Sequence, residues 1–347
     1  MKFINILPAT FIISLLLINS HSAGAIGEQS SFDQLGEITQ SIQVLPGGPL
    51  PAQAPVASPV KAGLDLTEKF WRISSAAHLA LSDQEKAELR KFKILLVPGF
   101  LSNIVTKPVV VLGIKVTIGH YFTDQMKVFR ELGIDYKLVE IESEAIPADN
   151  AAKIAREIDS SDKPVIIMGH SKGGLDTLET LIHRKDLISK VRGIITIQTP
   201  YFGSPIADSI LKDPVLKQIA ASLLQSMGGA LDCLLSITAV QREKYCQEHL
   251  ADINEIVAAV PVISFGSWKD KEYSKIDTIL KPLRDVLLRM GFKNDGQVPI
   301  YSTLLPGAGY ISIEGPDHFV TVMSTGPILK FDRDRFTKTL LLMLVRP

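Results

Sequence analysis

Short apolar runs of strand length alternate along most of the chain with segments whose apolar residues recur at helical spacing. The clearest case is the run 165–169, which is followed by Leu175, Leu178, Leu181 and Ile182. A continuous apolar run is typical of a strand buried on both faces, and spacing of three and four residues is typical of an amphipathic helix. This alternation predicts a mostly parallel sheet with helices on both faces. The predicted strands are 93–97, 137–141, 165–169, 191–198, 262–266 and 310–314, and the predicted helices are 64–81, 82–91, 121–132, 150–159, 175–184 and 331–345.

One long stretch, 207–260, interrupts the alternation because it carries no strand signal. Val215, Ile219, Leu223 and Met227 fall on one helical stripe there. We expect two or more helices that cap the carboxyl edge of the sheet, where open α/β sheets bind their ligands. The stripe fits ordinary core packing and equally fits a movable lid with an apolar underside.

The first 25 residues have the pattern of an export signal. Lys2 precedes an apolar run over 3–18, and Ala23-Gly24-Ala25 supplies the small residues that a signal peptidase prefers. The run is short for a membrane span, which needs about 20 apolar residues. We therefore predict cleavage after Ala25 and an exported protein, secreted or periplasmic, with an uncleaved N-terminal anchor as the alternative.

A proline-rich segment follows the predicted signal, with five prolines within 43–63. Such a composition favours an extended arm over a packed helix. The sequence therefore predicts a signal peptide over 1–25, an arm over 26–63 and a folded domain over 64–347.

The composition of the chain narrows its classes of partner. The 347 residues include 37 basic and 37 acidic side chains. Zero net charge without a basic stripe argues against nucleic acid as the main partner. Cys233 and Cys246 predict a disulfide in an oxidising compartment, with two buried free thiols as the alternative. No cysteine and histidine cluster has the spacing of metal ligands, so we predict neither a metal nor a cofactor.

Ser171 lies where a predicted strand turns into a predicted helix, within Gly169-His170-Ser171-Lys172-Gly173. Glycine on either side allows the sharp turn that lifts a hydroxyl clear of the sheet. A serine hydroxyl is a poor nucleophile unless a base lies within hydrogen-bond reach and an acid orients that base. In a sheet of this kind the order along the chain is serine, acid, histidine. We therefore predict Ser171 as a nucleophile with both partners later in the chain.

Three histidines follow Ser171. His183 lies in the predicted helix directly after the serine, and His249 lies in the predicted cap. His318 follows the last predicted strand, in a loop at the carboxyl edge of the sheet. Because Ser171 is expected at the same edge, His318 is the predicted base.

Three aspartates are candidates for the orienting acid. Asp295 lies in Asn294-Asp295-Gly296, a turn composition that precedes a Val-Pro pair. Asp270 follows the strand predicted over 262–266, and Asp317 is adjacent to the histidine. Adjacent residues rarely point at each other, so we favour Asp295, keep Asp270 as the rival and note that a surface turn without a role would look the same.

The tetrahedral intermediate of such a reaction needs preorganised N–H donors for its oxyanion. The predicted donors are the main-chain N–H of Lys172, directly after the nucleophile, and that of Phe100 after the first core strand, with Leu101 in reserve. Pro98-Gly99 supplies the turn before Phe100. A plain Pro-Gly turn is the alternative there.

Several segments together resemble the secreted bacterial lipases of the α/β-hydrolase family. The segment 169–175 is similar to the family's nucleophile elbow, and 294–296 is similar to its acid turn. The segment 194–208 is similar to the strand that leads into the lid, and 119–133 resembles the helix after the oxyanion loop. The resemblance covers roughly 93–318.

The chain also departs from the family pattern. Pro98-Gly99 stands where many of these lipases have His-Gly, and Lys172 stands where an uncharged residue is commoner. No segment resembles the family's calcium-binding loop, so no metal is carried over. These departures bear on the substrate more than on the reaction.

The resemblance implies an α/β-hydrolase fold with a helical cap and a serine hydrolase that cleaves carboxylic esters, long-chain acylglycerols above all. A phospholipase or lysophospholipase, a short-chain esterase and an acyltransferase are the enzymatic alternatives. A non-catalytic scaffold that presents its cap to a partner is the alternative from another class. The implied partners are a lipid or other ester and, transiently, a lipid surface, while the oligomeric state is left open.

Overall fold

The computed structural model describes most of the chain from Gly63 onward. The described residues are 63–100, 102, 109–111, 114–116, 120–226, 228–269, 280–324 and 331–346. The predicted signal peptide and nearly all of the predicted arm lie outside them, as do Leu101 and Asp270 among the candidate site residues. Within the described residues, no helix has the length and apolar character needed to cross a membrane.

A central sheet of six strands organises the molecule, and every neighbouring pair in it is parallel. The strands are β1 Lys93–Val97, β2 Val109–Val111, β3 Ile114–Val116, β4 His120–Tyr121, β5 Asp135–Leu138, β6 Val165–His170, β7 Val191–Ile197, β8 Val262–Trp268, β9 Gly309–Glu314 and β10 Met323–Ser324. The order in the sheet is β5-β1-β6-β7-β8-β9. The pairs β2–β3 and β4–β10 are separate and antiparallel.

Alternate residues of the central strands face two separate hydrophobic cores. In β1, Ile94 and Leu96 belong to one core, while Leu95 and Val97 belong to the other. This is the two-residue repeat of a strand with both faces covered, which explains why the sequence of β6 is apolar without alternation.

Helices cover both faces of the sheet. They are α1 Thr67–Ser74, α2 Asp83–Leu89, α3 Thr123–Leu132, α4 Pro147–Asp159, α5 Lys172–His183, α6 Pro205–Lys212, α7 Pro214–Ser226, α8 Leu231–Leu235, α9 Ala239–Glu248, α10 Leu250–Ala259, α11 Lys281–Arg289 and α12 Arg333–Val345. Helices α1, α2, α3 and α12 contribute to the first core, and α4, α5 and α10 to the second. The predicted layering of helix, sheet and helix is confirmed.

The bounds of the two N-terminal helices differ in how well the sequence predicts them. Helix α2, predicted over 82–91, begins with a capping box in which Ser82 Oγ accepts from the Glu85 N–H and Glu85 Oε2 accepts from the Ser82 N–H. Helix α1 ends at Ser74, before the end of the predicted 64–81, and Leu79 and Leu81 reach the first core from the segment that follows.

Strand β5 also differs from its prediction over 137–141. It ends at Leu138, yet Val139 and Ile141 are buried in the second core from the loop that follows. The Val139 N–H still donates to the Leu96 carbonyl of β1 at 2.9 Å, so the apolar spacing of 137–141 follows burial beyond the end of the strand. The sequence analysis missed α11 and the two antiparallel pairs, whose strands are only two or three residues long.

The stretch predicted as a cap contains α6 to α10 and has its own small core. Ala207, Ala220, Leu224 and Leu234 form this cap cluster, and Phe100 packs against it from the loop after β1. The cap therefore contacts the loop that holds one of the predicted oxyanion donors.

The predicted disulfide is wrong for this structure, since Cys233 and Cys246 are both free and buried. Cys233 Sγ donates to the Ala145 carbonyl at 3.3 Å, and Cys246 Sγ donates to the Tyr201 carbonyl at 3.2 Å. The thiols lie on α8 and α9 and are directed at different loops, so the alternative of two buried thiols holds.

Candidate active site

The candidate site residues lie where parallel strands reach their carboxyl ends. Ser171 follows β6, Gln198 follows β7, His318 follows β9 and Phe100 lies in the loop after β1. Open α/β sheets bind ligands at this edge, so the topology alone brings segments distant in sequence to one place.

Ser171 occupies the sharp turn between β6 and α5. Its backbone has φ 52° and ψ −128°, a conformation that costs free energy for a residue with a side chain. Gly173 makes the turn possible, because a Cβ there would lie 2.2 Å from the Val97 carbonyl oxygen. The helix that starts at Lys172 therefore packs directly on β1, and the hydroxyl projects from the edge of the sheet.

The structure brings the three predicted catalytic side chains into one hydrogen-bonded chain. His318 Nε2 lies 3.0 Å from Ser171 Oγ, and His318 Nδ1 lies 2.8 Å from Asp295 Oδ2. Both His318 and Asp295 are buried. With the carboxylate as acceptor, Nδ1 carries the proton and Nε2 is left to accept the serine proton.

The turn that contains Asp295 fixes the orientation of its carboxylate through one of the two oxygens. Oδ1 accepts the N–H groups of Gln297 at 2.9 Å and Val298 at 2.8 Å, which leaves Oδ2 for the histidine. The main chains are also joined, since the His318 N–H donates to the Asp295 carbonyl at 3.0 Å. Gly296 has φ +104°, so the turn requires glycine at that position.

The other candidates for base and acid have different partners. His183 Nε2 lies 3.0 Å from Glu179 Oε1, and His249 Nδ1 lies 3.0 Å from Asp252 Oδ2. Asp317 Oδ1 accepts the N–H groups of Phe319 and Val320, both at 2.9 Å, and so closes its own turn. Asp270 lies outside the described residues.

The loop after β1 lies directly against the nucleophile. A Cβ added to Gly99 would lie 2.8 Å from Ser171 Cβ and 3.0 Å from the His170 carbonyl oxygen. Phe100, next in the loop, is half-buried and packs into the cap cluster. Lys172 is the first residue of α5, so its N–H is one of the donors that a helix leaves without an internal partner.

A second buried chain connects this loop to the base through side chains that the sequence analysis did not assign. A Cβ added to Gly99 would lie 3.2 Å from the Tyr121 hydroxyl oxygen, which itself lies 2.7 Å from His170 Nδ1. His170 Nε2 lies 2.8 Å from the carbonyl oxygen of His318. Burial lowers the pKa of His170 well below its ordinary value, and neighbouring His318 lowers it further. His170 is therefore neutral, accepting at Nδ1 and donating from Nε2.

Gln198 holds the loop that carries His318 from the opposite side. Its Nε2 donates to the Asp317 carbonyl at 2.9 Å and to Ser267 Oγ at 2.6 Å, and its Oε1 accepts from Thr321 Oγ1 at 2.8 Å. Gln198 is fully buried and has φ 53°. A strained backbone persists where surrounding contacts over-determine it, and here they fix the loop on both sides of the histidine.

The side chain of Lys172, unaccounted for in the sequence, is buried in an ion pair. Its Nζ lies 2.8 Å and 3.0 Å from the two carboxylate oxygens of Asp176, one turn along α5, and both side chains are at most 1% exposed. Burial raises the pKa of Asp176 to about 6, against the opposing effects of Lys172 and of the Asn150 amide.

Sequence signals for these supporting residues range from weak to absent. His170 and Lys172 lie inside the glycine-rich turn, and Gln198 follows an apolar strand. Their predicted position at the carboxyl edge of the sheet is therefore the signal that could have identified them as site residues. Tyr121 lies in a strand of two residues, which leaves no periodic pattern. Among the described residues, no group of three or more His, Cys, Asp or Glu side chains is arranged to hold a metal.

Comparison with known proteins gives matches in structure alone. No protein-family model matches the chain, and no curated protein matches it in sequence. A carboxyl esterase of metagenomic origin is similar in structure, with a TM-score of 0.59, 21% identity and 89% of this chain and 88% of that chain covered. The mature form of a lipase from Bacillus licheniformis gives a TM-score of 0.50 and 20% identity, with 74% and 90% covered.

The chain has the α/β-hydrolase fold. At 20% and 21% identity, these similarities establish the architecture and leave the chemistry to be argued from the site. Enzymes of that fold carry their nucleophile in a sharp strand-to-helix turn, and Ser171 lies in such a turn after β6.

Proposed function

We propose that the protein is an exported serine hydrolase that cleaves carboxylic esters through an acyl-enzyme, with long-chain acylglycerols as its main substrate class. The observation that carries the proposal is the buried chain of contacts from Ser171 Oγ through the His318 ring to Asp295 Oδ2, at 3.0 Å and 2.8 Å. Solved structures of the same fold include a carboxyl esterase and a lipase, which supports ester hydrolysis.

In the first half-reaction, Ser171 Oγ forms a bond to the ester carbonyl carbon while His318 Nε2 takes the serine proton. Asp295 stabilises the resulting imidazolium and fixes its orientation. The N–H groups of Lys172 and Phe100 are the proposed donors to the oxyanion, with Leu101 as the alternative to Phe100. The bond to the leaving oxygen then breaks, and His318 returns its proton to the alcohol.

In the second half-reaction, His318 takes a proton from water, which attacks the acyl carbonyl. The carboxylic acid leaves and Ser171 recovers its proton. No cofactor enters either step as proposed. Because a buried site excludes water, the two N–H donors stabilise the negative charge of the transition state more strongly there than they would in solvent.

The preference for long acyl chains and lipid surfaces rests on the cap. Its cluster of Ala207, Leu224 and Leu234 lies against Phe100, beside the proposed oxyanion position. On its outer side the cap exposes Val215 and Val240, at 65% and 70%. We expect the apolar side chains on the inner side of the cap to favour a substrate with a long apolar acyl chain. The exposed valines on the outer side favour transient contact with a lipid surface. Export is proposed from the sequence of residues 1–25 alone.

The direct test measures hydrolysis of chromogenic esters of increasing acyl length beside a phospholipid, for the wild type and Ser171→Ala. We expect Ser171→Ala to lose at least about 10⁴-fold in kcat, and the wild type to favour long-chain esters over short-chain esters and the phospholipid. Retained activity in Ser171→Ala would overturn the nucleophile. A preference for short esters or for the phospholipid would replace the substrate class, and inactivity of the wild type on every ester would favour a non-catalytic scaffold.

A further inference from the structure

The Lys172–Asp176 ion pair is the buried charged group closest in sequence to the proposed nucleophile, and the proposed reaction does not use its charge. Both residues lie on α5, in the turn that begins directly after Ser171. Lys172 is 1% exposed, and Asp176 is fully buried. A lysine at the start of a helix also opposes the helix dipole, so the position is unfavourable for a positive charge on its own.

The pair is tied to two further segments of the fold. Asn150 Nδ2, on α4, donates to Asp176 Oδ2 at 2.9 Å and to the Glu142 carbonyl at 2.9 Å. Asn150 Oδ1 accepts the Glu142 N–H at 3.0 Å. A continuous set of hydrogen bonds thus runs from the first residue of α5 through α4 to the loop after β5.

Net stability does not explain this arrangement. Desolvation of two charges costs as much as their attraction returns, and replacing a buried ion pair with apolar residues of similar volume is often neutral or stabilising. What the charged pair adds is direction, because an ammonium held by both oxygens of a carboxylate has little freedom to turn. The residue that receives this constraint is the one whose N–H is a proposed oxyanion donor.

We propose that Lys172 and Asp176 are positioning residues, whose ion pair holds the first turn of α5 so that the Lys172 N–H stays directed at the oxyanion. The inference rests on the proposed function, since it needs an acyl-transfer intermediate at Ser171. The side chains act through the main chain and do not touch the substrate. Their loss therefore weakens binding of the tetrahedral intermediate more than binding of the ester.

The test replaces both charges together, because a single substitution would leave the other charge buried and alone. Lys172→Met/Asp176→Leu keeps the volume and removes the pair. Lys338→Met/Asp334→Leu is the matched control, a Lys–Asp pair at the same spacing with a 2.7 Å contact on α12, which carries no site residue. Thermal unfolding and circular dichroism first establish that both variants fold.

For the folded Lys172→Met/Asp176→Leu variant we expect kcat to fall about 10- to 100-fold, less than the loss of a whole oxyanion donor, with KM within about twofold of the wild type. Affinity for a boronic acid, which mimics the tetrahedral intermediate, should fall in parallel with kcat. The control variant should keep all three values. Unchanged kcat, or a rise in KM without loss of boronic acid affinity, would overturn the inference.

A second variant, Lys172→Gln/Asp176→Asn, restores a neutral hydrogen-bonded pair and covers the case in which the apolar variant does not fold. A kcat above that of the apolar variant and below that of the wild type, with a parallel fall in boronic acid affinity, would support positioning. A loss equal to that of the apolar variant, in folded protein, would overturn it. Inactivation of the wild type by a fluorophosphonate at Ser171 is measured beside these variants, so that failure of the proposed nucleophile is distinguished from failure of the positioning role.

Discussion

The nucleophile turn and the loops that carry its partners are held in place by different means. The turn over 165–174 is fixed by residues adjacent in sequence: an apolar strand, glycines at the bend and a helix that packs back on β1. The loop that carries His318 is held by side chains more than 100 positions away, such as His170 and Gln198. A substitution that adds a steric clash is therefore enough to disrupt the nucleophile turn. The position of the loops depends instead on polar contacts, which substitutions can remove one at a time.

The largest expected effect in the loops comes from Asp295→Asn. The variant keeps the shape of the turn but offers an amide where His318 Nδ1–H needs a carboxylate, so the wrong tautomer faces Ser171. We expect kcat to fall about 10⁴-fold with little change in KM. Steady-state kinetics on the preferred chromogenic ester measures both kcat and KM.

Asp317→Asn is the matched control, because it makes the same chemical change in the adjacent loop and keeps an oxygen acceptor for the turn. It should cost less than tenfold in kcat, roughly the loss of one neutral hydrogen bond. Asp270→Asn, outside the described residues, completes the set. If Asp270→Asn and not Asp295→Asn lost activity, the acid would have to be reassigned.

In the nucleophile turn, Gly173→Ala is expected to destabilise the fold, because the new Cβ would lie 2.2 Å from the Val97 carbonyl oxygen and cannot be accommodated without moving β1 or α5. The expected loss is about 3 kcal/mol or more in the free energy of unfolding. Denaturant unfolding measures this loss. Gly193→Ala is the control, since its Cβ would meet only the flexible end of Leu344, at 3.2 Å. Equal stability of the two variants would contradict the steric account.

The same contrast explains how much could be predicted from the sequence. The strands of the central sheet, the turn at Ser171 and the pairing with Asp295 and His318 follow from local patterns and from chain order. Tyr121, Gln198 and Asn150 could not be identified, because their roles arise only when the fold brings distant segments together. The disulfide prediction failed for the same reason, since spacing between cysteines does not give the direction of their side chains.

A smaller effect is expected from Gln198→Leu, which keeps the size of the side chain and removes its hydrogen bonds to the His318 loop. We expect about 1–3 kcal/mol of lost stability, because the Asp317 carbonyl and Thr321 hydroxyl lose a buried partner. In folded protein kcat should fall about tenfold at a nearly unchanged KM, because the base is less well held. Gln125→Leu is the control, since Gln125 Nε2 donates at 2.8 Å to the Thr321 carbonyl, three residues after the base in sequence, and not to the Asp317 carbonyl beside it. A larger loss of kcat in Gln125→Leu than in Gln198→Leu would contradict the role of Gln198 in holding the His318 loop.

The smallest expected effect is a dependence of stability on pH through His170. Its pKa is lowered in the folded protein, mainly by burial. The unfolded chain therefore binds a proton below about pH 6.5 that the native state does not bind. Stability from this group is present above pH 6.5 and is lost as the pH falls, with a slope of up to about 1.4 kcal/mol per pH unit.

Asp176 acts in the opposite sense. Its pKa is raised to about 6 in the folded protein, so its contribution to stability is lost as the pH rises from the pKa of the unfolded chain toward 6. Denaturant unfolding of the wild type and His170→Gln between pH 5 and about 7.5 isolates the histidine, because Asp176 contributes to both curves. The difference between the curves should favour the wild type most at the upper end of this range, and a constant difference would show that His170 does not titrate on unfolding.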